Sequence, residues 1–278
     1  MKKIIRILPI ALLIVSSNIF GQDFQGVATY KYQRKMDVKL DSSQISPDMQ
    51  KQIMAMMKKQ FEKTYVLTFS KNESLYKEDK PLESPQLSGV RVVVANGQGS
   101  DIMYKNIKNG NFSNQNEILG KVFLIEDDIV NHDWKLSSET KNIGEYTCFK
   151  ATTTVERPRQ RQIVQGGRSA SNNSSQNTND TSQMEEITVT AWYTTQIPVN
   201  NGPGKYQGLP GLILEVNDGT ETMLCNKVVL NPKNRISIKK PVKGQKVNQK
   251  EYDKILAKKR KEMGVGNGQR VRIRDNRN

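Results

Sequence analysis

The feature that most constrains this chain is a two-residue alternation of apolar and polar side chains that returns along most of its length. Ala28, Tyr30 and Tyr32 line one side of the first such run, and Tyr65, Leu67 and Phe69 line one side of the second. Further runs are Arg91 to Ala95, Lys121 to Ile125, Tyr146 to Val155, Ile187 to Tyr193, Leu212 to Val216, Met223 to Leu230 and Ile236 to Ile238. Period two places alternate side chains on opposite faces of a strand, so each run reads as a half-buried β-strand. About nine strands without regular helical crossovers between them predict a mainly antiparallel sheet.

Two segments break the alternation. Over residues 46–63, Ser46 is placed to cap a helix, Pro47 suits the first helical position, and Ile53, Met56, Met57 and Phe61 form an apolar stripe. At the other end Asn248 and Glu251 have capping-box spacing, and Tyr252, Ile255, Leu256 and Met263 follow on one face before Gly264. The expected fold is therefore α+β: a strongly curved antiparallel sheet with two packed helices. A stripe at helical spacing is more often core than a methionine-rich binding surface, and core is the reading favoured for the first helix.

Residues 1–21 read as a cleavable export signal, with Lys2, Lys3 and Arg6 ahead of the apolar run Ile7 to Val15. That run is less than half of the roughly 20 apolar residues a spanning helix needs. No later stretch reaches that length, so no transmembrane segment is expected after cleavage. No cysteine stands at the exit of the signal, the first in the chain being Cys148, so N-terminal lipidation is excluded. The expectation is a mature protein of the periplasm or the outer-membrane surface, with a β domain over 22–247 and a basic helix and tail over 248–278.

The formal net charge of +15 invites a nucleic-acid reading, and its distribution argues against one. Residues 233–278 hold sixteen Lys or Arg against four Asp or Glu, while residues 22–232 hold 24 of each sign. A neutral body with a basic end suits either an anionic envelope surface or simple solubility, not a duplex-binding face. Residues 157–183 are rich in Ser, Asn, Gln and Gly and nearly free of large apolar groups. They cannot offset their ordering entropy and are expected to form a disordered hairpin tip between two paired strands.

Catalytic constellations find little support. The single histidine, His132, sits in Asn131-His132-Asp133 and reads as a turn residue. Two distant cysteines and one histidine do not make a zinc site, and Glu126, Asp127 and Asp128 lack the spacing of a calcium loop, so they read as a solvated turn. No catalytic residue, metal site or cofactor is expected. Cys148 and Cys225 both fall in predicted strands and, in an oxidising compartment, are either a disulfide or two small buried hydrophobes. A bond between them would be worth about 4 to 5 kcal/mol in the chain-entropy model.

The most distinctive stretch joins the runs ending near Thr195 and beginning at Leu212. Ile197-Pro198, Gly202-Pro203 and Gly208-Leu209-Pro210-Gly211-Leu212-Ile213 interleave backbone-shaping residues with the bulky Tyr206, Leu209 and Leu212, which predicts an ordered loop. Leu209-Pro210-Gly211-Leu212 fits a type II turn, with Gly211 supplying a positive φ. These residues resemble the GLPGLI family of exported proteins of Gram-negative bacteria, named for the hexapeptide at Gly208 to Ile213. The resemblance extends to Trp192-Tyr193, Asp133-Trp134 and Gly144-Glu145-Tyr146-Thr147-Cys148. It implies a cell-envelope protein without assigned catalytic residues. The loop is either a ligand or partner surface or a structural corner, the corner being favoured. The function expected is non-catalytic binding of an apolar ligand, by analogy with curled-sheet lipoprotein carriers, or of a partner protein. The alternative is an accessory subunit of an outer-membrane transport or assembly complex docked by the basic tail, with a hydrolase the least supported.

Overall fold

The computed structural model describes residues 24–35, 48, 51–52, 55, 62–79, 102–158, 184–234 and 236–262. The export signal, the predicted strand at 91–95, residues 159–183 of the hairpin tip and the tail past Glu262 lie outside the described residues.

The described chain is mostly β. One mixed sheet contains twelve strands: β1 (Gln25–Arg34), β2 (Lys63–Ser70), β3 (Glu73–Glu78), β4 (Ile102–Asn106), β5 (Asn111–Ile118), β6 (Lys121–Asp128), β7 (Lys135–Ile143), β8 (Tyr146–Pro158), β9 (Met184–Thr194), β10 (Leu212–Asn217), β11 (Glu221–Leu230) and β12 (Gln245–Val247). The spatial order is β12-β6-β5-β4-β3-β2-β1-β11-β10-β9-β8-β7. All neighbours are antiparallel except β12, which lies parallel to β6. Among the described residues one full helix follows, α1 (Gln249–Glu262).

This corrects the α+β expectation of two helices packed on about nine strands. Strands β3, β4, β5, β7 and β12 carry no clean alternation and are not among the expected strands, whereas Ile236 to Ile238 alternates but is not a strand, its Ile236 N–H donating to the Gln25 side chain. Of the helix expected over 46–63 only Asp48, Lys51, Gln52, Ala55, Glu62 and Lys63 are described; the first four are helical, and Lys63 opens β2. Glu126, Asp127 and Asp128 are not a turn after a strand but the end of β6 itself.

The sheet is forced to curl. β6 is second in the order and β7 last, ten inter-strand steps apart, which on a flat sheet is about 48 Å. Residues 129–134 alone connect them, and seven peptide steps from Asp128 to Lys135 reach at most about 25 Å. The two ends must therefore bend toward each other around a shared interior.

Cross-strand registers show what faces that interior. One row runs Ala28, Leu67, Tyr76, Met103, Asn114, Ile125, and the next runs Gly26, Phe69, Ser74, Lys105, Phe112, Asp127. Ala28, Tyr30, Leu67 and Phe69 are fully buried. At the β6 end the cover is α1, whose Tyr252 meets Phe123 edge-on and shares a cluster with Ile118 and Ile125. The capping box closes as expected: Glu251 N–H donates to Asn248 Oδ1 at 2.8 Å, and Asn248 N–H donates to Glu251 Oε2 at 3.1 Å. Asp127 Oδ2 accepts from the Gln249 N–H, tying β6 to the start of the helix.

Candidate functional site

The remaining interior is filled by residues 195–211, the loop between β9 and β10. Its apolar residues turn inward. Ile197 and Val199 join the cluster of Tyr30, Leu67, Phe69 and Leu212, while Tyr206 and Leu209 join Ala151, Val189, Ala191 and Ile213. Prolines set its path. Val199 N–H donates to Ile197 O across Pro198, and Gly211 N–H donates to Leu209 O across Pro210, each at 2.8 Å. These three-residue turns match the φ that proline fixes.

The expected type II turn is therefore corrected. Gly211 is not among the positive-φ residues, whereas Gly208 is, at +100°. Gly211 is required for a different reason, since a Cβ there would stand 2.0 Å from the Thr194 carbonyl oxygen. Gly202 has a similar constraint, its Cβ position falling 2.8 Å from Ile213 Cβ.

Polar ties hold the loop and the start of β10 to three elements. Just past the loop, on β10, Ile213 O accepts from the Tyr30 OH of β1 at 2.7 Å. Trp134 Nε1 donates to Gln207 O, and Gln207 Nε2 donates to Val130 O, both at 2.8 Å, from the crossover of residues 129–134. Lys105 Nζ on β4 donates to Gly202 O at 3.0 Å and to Tyr206 O at 3.2 Å. Lys105 is 1% exposed, and burial lowers its pKa to about 7.

At the rim, His132 lies 5.5 Å from the rings of both Trp134 and Tyr206, and its basicity is lowered mainly by burial. Beside it Val130 is 70% exposed, and Leu136, just inside β7, is 60% exposed. Among the described residues β7 is the outermost strand, paired only with β8, and Ser137, Ser138 and Glu139 fall out of register even there.

The residues singled out by sequence do not act as one surface. Tyr193, Pro198, Gly202, Pro203, Tyr206, Gly208, Leu209, Pro210, Gly211, Leu212 and Ile213 build or meet the inward loop, with Tyr193 and Ile213 in one cluster, while Trp192, the neighbour of Tyr193 on β9, packs against the other cluster, with Cys148, Ile197 and Leu212. There the Lys141 ammonium sits 4.4 Å over the Trp192 ring and pairs with Glu215 at 2.7 Å. Cys148 and Cys225 are free thiols buried in one cluster, and burial raises both to about 11, leaving them protonated and unreactive at neutral pH. Among the described residues no group of acidic, His or Cys side chains is arranged to hold a metal. Glu126 is engaged by Lys240 and Lys246. Sequence reasoning missed Lys105, whose Nζ holds the Gly202 and Tyr206 carbonyls, and Gln207, whose amide ties the loop to Val130.

A family model described as "Protein of unknown function (Porph_ging)" matches residues 134–215, from Trp134 through the loop to Glu215. No curated protein matches the chain. Two solved structures are similar, "Structure of PNGF-II in C2 space group" and "Structure of PNGF-II in P21 space group". The first is 15% identical with a TM-score of 0.48 and the second 14% identical with a TM-score of 0.47. Each match covers 85% of this chain but only 33% and 34% of theirs, so the chain spans about a third of the length of the structures it matches. At that distance the similarity carries no argument about activity.

Proposed function

We propose that this chain is a non-catalytic protein of the cell envelope, exported by way of residues 1–21, that engages a partner protein along the open edge at β7 and the crossover leading into it. The observation that carries this reading is the inward turn of the loop. Its own Ile197, Val199, Tyr206 and Leu209 pack into the interior of the curled sheet, which favours the partner-protein reading over an apolar ligand. What the loop holds up is the crossover, with Val130 and Leu136 exposed beside a strand that pairs with no further strand on its outer side among the described residues. Such an edge is a template for strand addition by an extended segment of another chain. The resemblance to the GLPGLI family supports the envelope setting.

A photo-crosslinking residue at Leu136 should give one discrete adduct in whole cells, and the same residue at exposed Lys77, on distant β3, should give none. Ser138→Pro should abolish the Leu136 adduct without unfolding the protein, because Ser138 has no partner on β8. Absence of an adduct, or one indifferent to the proline, rejects the edge.

A second reading is favoured by α1. Lys250, Lys254 and Lys258 recur at intervals of four and are exposed, while Tyr252, Ile255 and Leu256 turn toward β6. That stripe is suited to an anionic surface and keeps open the accessory-subunit alternative, in which the basic end docks the protein to an outer-membrane complex.

A further inference from the structure

The hairpin between β5 and β6 turns on two residues. Ile118 pairs with Lys121, so Leu119 and Gly120 form the loop, at φ +50° and +82°. Two successive positive φ angles mark a type I′ turn, whose first position suits Asn, Asp or Gly because a larger side chain there is strained. Among the described residues only one other non-glycine has a positive φ, and it is of the expected kind, Asn231. The Leu119 side chain finds little cover within the protein: it is 68% exposed, while its neighbour Ile118 is buried with Phe123, Ile125 and Tyr252. A strained turn position occupied by a solvent-facing leucine suits a role outside the folded chain.

The same strand is flanked by a second exposed apolar side chain and by several cations. Val242 is 77% exposed and stands two residues before Gly244, whose backbone lies so close to β6 that a Cβ there would meet the Phe123 carbonyl carbon at 2.6 Å. Lys121 and Lys243 are exposed beside these residues, and the Lys121 ammonium sits 5.3 Å from the Phe123 ring. α1 covers the same strand through Tyr252 and presents the exposed Lys250, Lys254 and Lys258. The nearby carboxylates are engaged or turned aside. Glu126 pairs with Lys240 and Lys246, Asp253 accepts from Gln249, and Glu251 closes the helix cap. Glu117 lies opposite Val122 across the hairpin and is half-buried.

Size and charge select the partner. A stable protein interface takes roughly 800 Å² from each side, of which two aliphatic side chains at loop positions supply only a small part. A bilayer asks for no shape complementarity. An aliphatic tip enters among the acyl chains while lysine ammonium groups stay at the lipid phosphates, their stems lying along the apolar boundary. Anionic headgroups then attract each lysine that reaches the surface.

We infer that the β5–β6 turn is a membrane-inserting tip: Leu119 enters the acyl region of an anionic lipid bilayer, and Lys121, Lys243 and the α1 lysines hold its headgroups. This rests on the reading of the basic end as a docking face and names lipid as the surface it meets. Cys148 and Cys225 are buried, so Leu119→Cys can be labelled alone with a polarity-sensitive fluorophore. Its emission should shift to the blue on vesicles of phosphatidylglycerol mixed with phosphatidylcholine and stay in place on phosphatidylcholine alone. The same label at Lys77→Cys, exposed on β3, should respond to neither. Leu119→Asn, which suits the type I′ turn and so keeps the fold, should weaken sedimentation with the anionic vesicles by about tenfold, the order expected for returning a leucine side chain to water. The triple variant Lys250→Glu, Lys254→Glu, Lys258→Glu should weaken it as well. An unmoved label at 119, an equal shift on neutral vesicles, or Leu119→Asn binding like the parent overturns the inference. In that event, continued loss with the triple variant leaves the docking reading standing, and binding indifferent to it removes both. Capture of an envelope protein through Leu119 with no response to vesicles also overturns it, in favour of a protein partner.

Discussion

Gly211 shows how a residue can be legible in sequence for the wrong reason. Its place after Pro210 marks it as a position that tolerates no side chain, but the obstacle is the Thr194 carbonyl 2.0 Å from a built Cβ, not a left-handed φ. Gly211→Val should therefore cost about 3 kcal/mol or more in denaturant unfolding. Gly204→Ala, at φ +55° with open space around it, should cost only about 1 kcal/mol. Lys105 was not legible at all, since nothing in Ile102-Met103-Tyr104-Lys105-Asn106 distinguishes a buried lysine from a solvated one. Its protonation makes a measurable signature. An unfolded lysine takes up its proton near pH 10.4 and the folded one only near 7, so between those values the unfolded state binds more protons and stability rises with pH. The buried thiols of Cys148 and Cys225, raised to about 11, act with the opposite sign once pH passes the ordinary thiol range. The clean window is therefore pH 7 to 8.5, where stability should climb by about 1 to 2 kcal/mol. Lys105→Met should flatten that climb in chemical unfolding at a series of pH values. His132, lowered by burial, has the same sign but completes its change below this window.

Among the elements, those with one wet and one dry face were readable and the others were not. β1 alternates because the sheet buries Ala28 and Tyr30 while Thr29 is only half-buried, and α1 announced itself through Asn248 and Glu251. β7 has no alternation to find, because an edge strand of sequence Lys-Leu-Ser-Ser-Glu-Thr-Lys-Asn-Ile leaves both of its faces at least partly exposed. β5 hides for the opposite reason, burying Ser113 and Asn116 where apolar residues would have been recognised. The loop between β9 and β10 was correctly read as ordered, since its bulky residues have a core to enter. The lysine stripe of α1 makes a prediction on this scale: vesicles containing anionic lipid should bind the protein at low salt and release it as salt rises. The triple charge reversal at 250, 254 and 258 should weaken that binding at least tenfold in a sedimentation assay.

At the scale of the whole molecule, local pattern identified β material but not its arrangement. Nothing in residues 25–34 says that their two neighbours are β2 and β11, or that residues 129–134 must draw opposite ends of the sheet together. Those facts live in long-range pairing, which neither alternation nor composition records. The charge partition, by contrast, was readable, because it is a property of sequence position alone. The seam between β1 and β11 has a consequence for how the protein is made. Gly26 waits for Leu230, so one edge of a strand bearing Ala28 and Tyr30 stays open until nearly the last segment of sheet is available. A nascent chain, or one cut anywhere before Glu221, presents that apolar edge to its neighbours. C-terminal truncation should then yield aggregates in place of a smaller folded domain.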